Sequence, residues 1–153
     1  MLNAQLAILA SASIALTATP AITRPIPPDA KTYRVPLTGP QEVNPVPALG
    51  LTGDFDGSAL VQLVVEPDTR QICYDFRLSG LSTPLMAHIH RGTAQHNGPS
   101  VITLFTGPGG NLHDCVTWRE DQLAELVANP SNFYVNLATT EFPDGAVRGQ
   151  LSS

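Results

Sequence analysis

Two adjacent stretches decide the fold: Gly57–Glu66, GSALVQLVVE, and Gln71–Ser79, QICYDFRLS. In the first, Ala59, Val61, Leu63 and Val65 share one face, and Leu60, Gln62, Val64 and Glu66 share the other. In the second, Ile72, Tyr74, Phe76 and Leu78 oppose Gln71, Cys73, Asp75, Arg77 and Ser79. A repeat of two places alternate side chains on opposite faces of an extended chain, so each stretch predicts a strand. Pro67-Asp68 supplies the turn between them, and the pair predicts a β-hairpin.

Working outward, Tyr33–Leu37 predicts a strand that ends at Gly39-Pro40. The segment Gln41–Gly53 carries Pro45 and Pro47 and is excluded from a central strand, because proline has no N–H for the ladder. Leu85–His90, Ser100–Phe105, Asn132–Leu137 and Ala146–Leu151 predict further strands, with Phe133, Val135 and Leu137 facing inward. Arg91–Pro99 and Gly107–Asn111 are loops, and Phe142-Pro143-Asp144-Gly145 is a turn. His96-Asn97-Gly98-Pro99 reads either as a ligand loop or as a turn ended by Pro99; the turn is expected, with Gly98 supplying a positive φ. Thr117-X-X-Glu120 reads as a capping box, with Glu120 and Asp121 at the positive end of a helix dipole. Leu123, Leu126 and Val127 form its apolar stripe, Trp118 is a packing residue, and Asn129-Pro130 stops it, giving a helix over about 118–128. The expected fold is all-β, an antiparallel β-sandwich or barrel of about seven to eight strands with one short helix.

The 153-residue chain suits one domain able to bury a core without staples. Its 12 glycines and 14 prolines fit a turn-rich β protein. The net charge is −5 and the eight basic residues are scattered, so no nucleic-acid phosphate track is expected. Leu6–Leu16 is apolar, too short to span a bilayer, and followed by no charge before Arg24. Together with the small-X-small site Ala10-Ser11-Ala12 it predicts a signal peptide over residues 1–23, although no lysine or arginine precedes the run. Residues 24–32 read as a proline-rich tether and 33–153 as the β domain. No lipobox-like cysteine lies near the N-terminus, so neither a lipid anchor nor a membrane span in the mature chain is expected.

Cys73 and Cys115 form an even pair in a chain that reads as exported, which predicts one disulfide. Ala87-His88-Ile89-His90 carries the sharpest candidate site. His-X-His in a strand puts both imidazoles on one face, where each offers a nitrogen to copper or zinc. His96, His113, Asp114 and Met86 are the available supplements, and hydrogen bonding of both rings to nearby backbone is the competing explanation. Arg148, on the polar face of the last strand, suits bidentate anion binding or pairing with an internal acid, Asp75 or Glu42. No Gly-X-Ser-X-Gly elbow, phosphate-cradling glycine motif or dinucleotide fingerprint occurs in the sequence.

Several segments in this order and spacing resemble the CHRD (chordin-type) domain family, in its single-domain bacterial form. They are Leu37–Pro45 (LTGPQEVNP), Leu78-Ser79-Gly80-Leu81, Ala87–His90 with Asn97-Gly98-Pro99, Val101–Phe105, Phe133–Asn136 and Phe142–Leu151. The resemblance runs from Tyr33 to Leu151 and implies an extracellular or envelope β-sandwich module. In animal chordins such domains accompany modules that bind secreted growth factors. Family members often carry a histidine two residues after the position of Asn136, where this chain has Ala138. The expected function is an exported, non-enzymatic binding or structural module that contacts an extracellular protein or a surface polymer. The alternative is a copper- or zinc-binding protein, dismutase-like in the strand-borne pair His88 and His90, with His96 and His113 as further ligands and Met86, Asn136 and Arg148 in support.

Overall fold

The computed structural model describes residues 25–44 and 52–153. The signal-peptide reading, and Pro45 and Pro47 with their exclusion from a central strand, lie outside the described residues. The fold is all-β with one short helix. Strands β1 (Lys31–Thr38), β2 (Ser58–Glu66), β3 (Gln71–Ser79), β4 (Pro84–Arg91), β5 (Ser100–Thr106) and β6 (His113–Thr117) precede helix α1 (Glu120–Ala128). Strands β7 (Phe133–Thr139) and β8 (Val147–Gln150) complete the chain. They form one antiparallel sheet in the order β5-β4-β7-β8-β1-β2-β3-β6, curled into a nearly closed barrel.

The hairpin of β2 and β3 forms as the alternation requires, in register from Ser58 opposite Ser79 to Glu66 opposite Gln71. Its inward residues Ala59, Val61, Leu63, Val65, Ile72, Tyr74 and Phe76 are buried in one core with Tyr33, Val35 and Leu37 of β1. From the other half of the sheet come Ala87 and Ile89 of β4, Ile102 and Leu104 of β5, and Phe133, Val135 and Leu137 of β7. Phe105 packs edge-on to Phe76 at 5.9 Å between ring centres. The Tyr74 hydroxyl donates to the Leu104 carbonyl across 3.0 Å, so a buried phenol has its partner and ties β3 to β5 through the interior.

The two halves of the sheet meet at β8 and β1, where Thr38 opposes Arg148. Gly149 makes that seam possible. A Cβ there would stand 2.3 Å from the Pro36 carbonyl oxygen, so only glycine lets the two backbones come this close.

Three elements differ from the sequence reading. First, His113–Thr117 is a strand, where the sequence shows only a polar, non-alternating pentapeptide. Pairing with β3 defines it, with Cys73 directly opposite Cys115. Second, Thr117 is not a helix cap. It stays extended as the partner of Gln71, and the Trp118 N–H donates to the Arg70 carbonyl. The helix therefore starts at Glu120 behind an extended Arg119 with no side-chain cap, and Leu123 and Leu126 still enter the core. Third, Gly98 does not take a positive φ; Gln95 does, at 66°. Gly98 is needed for space, since a Cβ would lie 1.6 Å from the Arg91 carbonyl oxygen.

The disulfide between Cys73 and Cys115 is formed and joins β3 to the edge strand β6, with Cys73 buried and Cys115 exposed. It spans 42 positions. Replacing both cysteines by serine is expected to lower unfolding free energy by about 4 kcal/mol on the chain-entropy account, as read by urea denaturation of the oxidised protein and the variant. An unchanged midpoint would show that the link does not stabilise the fold.

Candidate functional site

The strands β4, β7 and β8 bury their inner face in the barrel, and their outer face carries polar side chains in cross-strand rows. His88 opposes Asn136, and Asn136 opposes Arg148. One row along, His90 opposes Tyr134, and Tyr134 opposes Gln150. Met86 opposes Ala138. The period of two that filled the core with Ala87, Ile89, Val135 and Leu137 thus gathers Met86, His88, His90, Tyr134, Asn136 and Arg148 on the opposite face.

The loop 92–99 covers part of this face, and Arg148 holds it. Arg148 is 2% exposed. Its guanidinium donates to the Asn97 Oδ1 at 3.1 Å and to the carbonyls of Thr93 and His96 at 3.1 and 3.0 Å. It also lies 3.4 Å from the centre of the Tyr134 ring, a cation–π contact in a desolvated place. Asn97 passes the connection on, its Nδ2 donating to the Val43 carbonyl at 2.8 Å. Gln150 anchors the start of the loop by donating to the Gly92 carbonyl at 2.9 Å.

The acids weighed as partners of Arg148 are placed differently. Glu42 feels the Arg148 charge, yet among the described residues its hydrogen bond comes from Asn136, whose Nδ2 donates to Oε1 at 2.7 Å. Asp75 lies on the outer face of β3 opposite Gln62 and takes no part. Burial pushes the Glu42 carboxyl up to about 7, against the lowering effect of Arg148. Burial also pushes the Arg148 guanidinium down, opposed by Tyr134 and Glu42. Gly145, expected only as a turn residue, has a second task. With φ at 142°, it leaves the space that a Cβ would contest with Asn136 Nδ2 at 2.8 Å and Glu42 Oε2 at 3.0 Å.

His90 stacks on Tyr134, with ring centres 4.9 Å apart, and its Nδ1 lies 2.9 Å from the Gly98 carbonyl oxygen. A carbonyl only accepts, so Nδ1 carries the hydrogen and Nε2 is left as the basic nitrogen. Burial lowers the pKa of both His88 and His90; each is lowered further by a nearby cationic group, His90 for His88 and Arg148 for His90, while the Gly98 bond acts against the shift of His90. The His88 and His90 rings sit 5.9 Å apart.

The four sequence candidates for metal ligation separate in space. His88 and His90 share the face. His96 lies in the covering loop, exposed, with Nδ1 against the Thr93 hydroxyl and the Ala94 carbonyl. His113 is on β6 opposite Asp75. Among the described residues no group of three or more His, Cys, Asp or Glu side chains is gathered to hold a metal ion. Tyr134 and Gln150 were not singled out from sequence, although the alternation of Phe133–Leu137 already places Tyr134 and Asn136 on one outward face.

The chain belongs to the CHRD domain family, whose profile matches residues 33–151. No curated protein and no solved structure gave a significant match.

The Glu42 carboxyl gives the site a pH signature. Its folded-state pKa of about 7 lies above the reference 4.5, so folding holds its proton more tightly. Its contribution to stability is complete below the lower value and is lost as pH rises through the upper one. The two histidines act in the opposite sense, with folded values below 6.5, and cost stability as pH falls. Glu42→Gln keeps an acceptor for Asn136 and removes the charge. Against this variant, the native chain is expected to lose roughly 1–3 kcal/mol of relative stability between about pH 4.5 and pH 8, measured by urea unfolding. A difference that does not change with pH would refute the assignment.

Proposed function

We propose that the chain acts outside the cytoplasm as a non-enzymatic binding module of the CHRD type, contacting an extracellular protein or a surface polymer. Membership of the CHRD family and the Cys73–Cys115 disulfide both fit an extracellular protein. No described helix is long and apolar enough to cross a membrane. The observation that carries the reading is how Arg148 is used. Its hydrogen bonds run to the side chain of Asn97 and to two carbonyls of the covering loop, so the most buried cation among the described residues holds a surface in shape. A pre-shaped surface loses little conformational freedom on binding, which is what a recognition module requires.

Copper and zinc usually take three or four protein or solvent ligands, and this face supplies two imidazoles. Metal therefore enters this reading as the rival to be tested. The experiment is metal analysis of the secreted, oxidised protein by mass spectrometry, before and after loading with copper or zinc, alongside hydrolytic and superoxide-dismutation assays. The expected result is neither stoichiometric metal nor turnover. Stoichiometric metal lost in a His88→Ala/His90→Ala variant, or turnover abolished by His88→Ala, would overturn the proposal.

Arg148→Lys tests the structural half of the same idea. Lysine keeps the charge but loses the planar fork that reaches three acceptors. The variant is expected to be destabilised by about 2–4 kcal/mol, and limited proteolysis should cut within residues 92–99 while the native chain resists. Equal resistance would show that Arg148 does not hold the loop.

A further inference from the structure

The outer face on the other half of the sheet carries a second constellation. Arg34 on β1 opposes Gln62 on β2, and Gln62 opposes Asp75 on β3. One row along, Leu60 opposes Arg77. These five residues line a shallow groove of about 110 Å³. Arg34 and Arg77 are exposed, and Leu60 is 40% exposed. Among the described residues no side-chain hydrogen bond or ion pair engages Arg34, Gln62, Asp75 or Arg77, so these groups are open to an outside ligand.

We infer that this groove binds an acidic oligosaccharide, a uronate-bearing segment of a surface polymer. The inference rests on the reading of the chain as a module that contacts such a surface. Three features select this ligand. The groove crosses the middle of a sheet, where β1, β2 and β3 each have neighbours on both sides. At the floor of the groove β2 is paired along its whole length, with β1 on one side and β3 on the other, so its backbone is committed and recognition there falls to side chains. Those side chains match a sugar acid. The Gln62 amide and the Asp75 carboxylate suit hydroxyl groups, and Leu60 offers an apolar floor for a ring face. Arg34 and Arg77 project from strands two spacings apart, which sets their backbones about 10 Å apart sideways. Each can take a carboxylate in bidentate fashion, on a chain whose overall charge of −5 makes a local pair of free cations stand out.

Isothermal titration of the full oxidised chain with oligogalacturonate tests the inference, with a neutral maltooligosaccharide and polyglutamate as comparisons. Oligogalacturonate is expected to bind, more weakly as salt rises, and the neutral sugar not to bind. Arg34→Ala/Arg77→Ala should weaken binding about tenfold or more. Gln62→Ala should weaken it several-fold with the salt dependence unchanged, an effect that simple ion exchange does not produce. Arg34 and Arg77 are exposed and Gln62 is half-buried, and unchanged circular dichroism and melting temperature would show that the variants fold. The inference is overturned if oligogalacturonate fails to bind, if either variant binds as the native chain does, or if polyglutamate binds equally well. Failure here in a protein without metal or turnover removes the glycan assignment alone. Metal-dependent turnover would remove the module reading beneath it.

Discussion

A buried guanidinium at the seam of the sheet is the constraint on which the rest of the molecule depends. Arg148 sits where β8 meets β1, the strand pairing through which the two four-stranded halves of the sheet meet. Removing such a cation from water is costly unless its donors are met by well-placed acceptors. Here the acceptors come from a loop that has no regular structure of its own, and the Tyr134 ring supplies a further electrostatic partner. Satisfying the charge and ordering the loop are therefore a single event. The loop links β4 to β5, and Asn97 extends the link to the segment after β1, so both halves of the sheet report to one side chain.

The same alternation that builds the core builds both outer faces. Inward residues merge into a single apolar cluster, while outward residues divide into two polar regions with different characters. On β4, β7 and β8 the polar groups are buried or half-buried, and burial shifts Glu42 up and His88, His90 and Arg148 down from their ordinary values. On β1, β2 and β3, the four groove residues Arg34, Gln62, Asp75 and Arg77 make no side-chain hydrogen bond or ion pair among the described residues. One face resembles an internal scaffold turned outward, and the other presents its chemistry to the surroundings. Arg148 holds the first region in shape, and the second is the one inferred to take the glycan.

Legibility followed the range of the forces involved. The β2–β3 hairpin, the strand Tyr33–Leu37, the inward face of β7 and the pairing of Cys73 with Cys115 were readable because a side-chain rhythm or an even cysteine count records them locally. Strand β6 was not readable, since HDCVT has no rhythm and owes its shape to β3 beside it. For the same reason Thr117 looked like a helix cap: its sequence context is right, but its backbone is committed to a strand. The His-X-His face was visible in advance, and its surroundings were not. Glu42 lies 94 positions from Asn136, and Arg148 lies about 50 from the loop it anchors. Gly98 and Gly145 show the limit most sharply, because a turn rule predicted glycine at both while the space each one vacates is set by atoms remote in sequence.

The edge strand β6 carries one more implication. It is five residues long, largely exposed, and fastened to β3 by a sulfur link between buried Cys73 and exposed Cys115. If a reductant opened that link, β6 would be free to peel away, and the five residues of β3 that it covers, Gln71–Asp75, would become a rim of vacant amides and carbonyls. Such a rim invites the same strand of another copy. The bond thus guards against self-association, and the chain is suited to places where thiols stay oxidised.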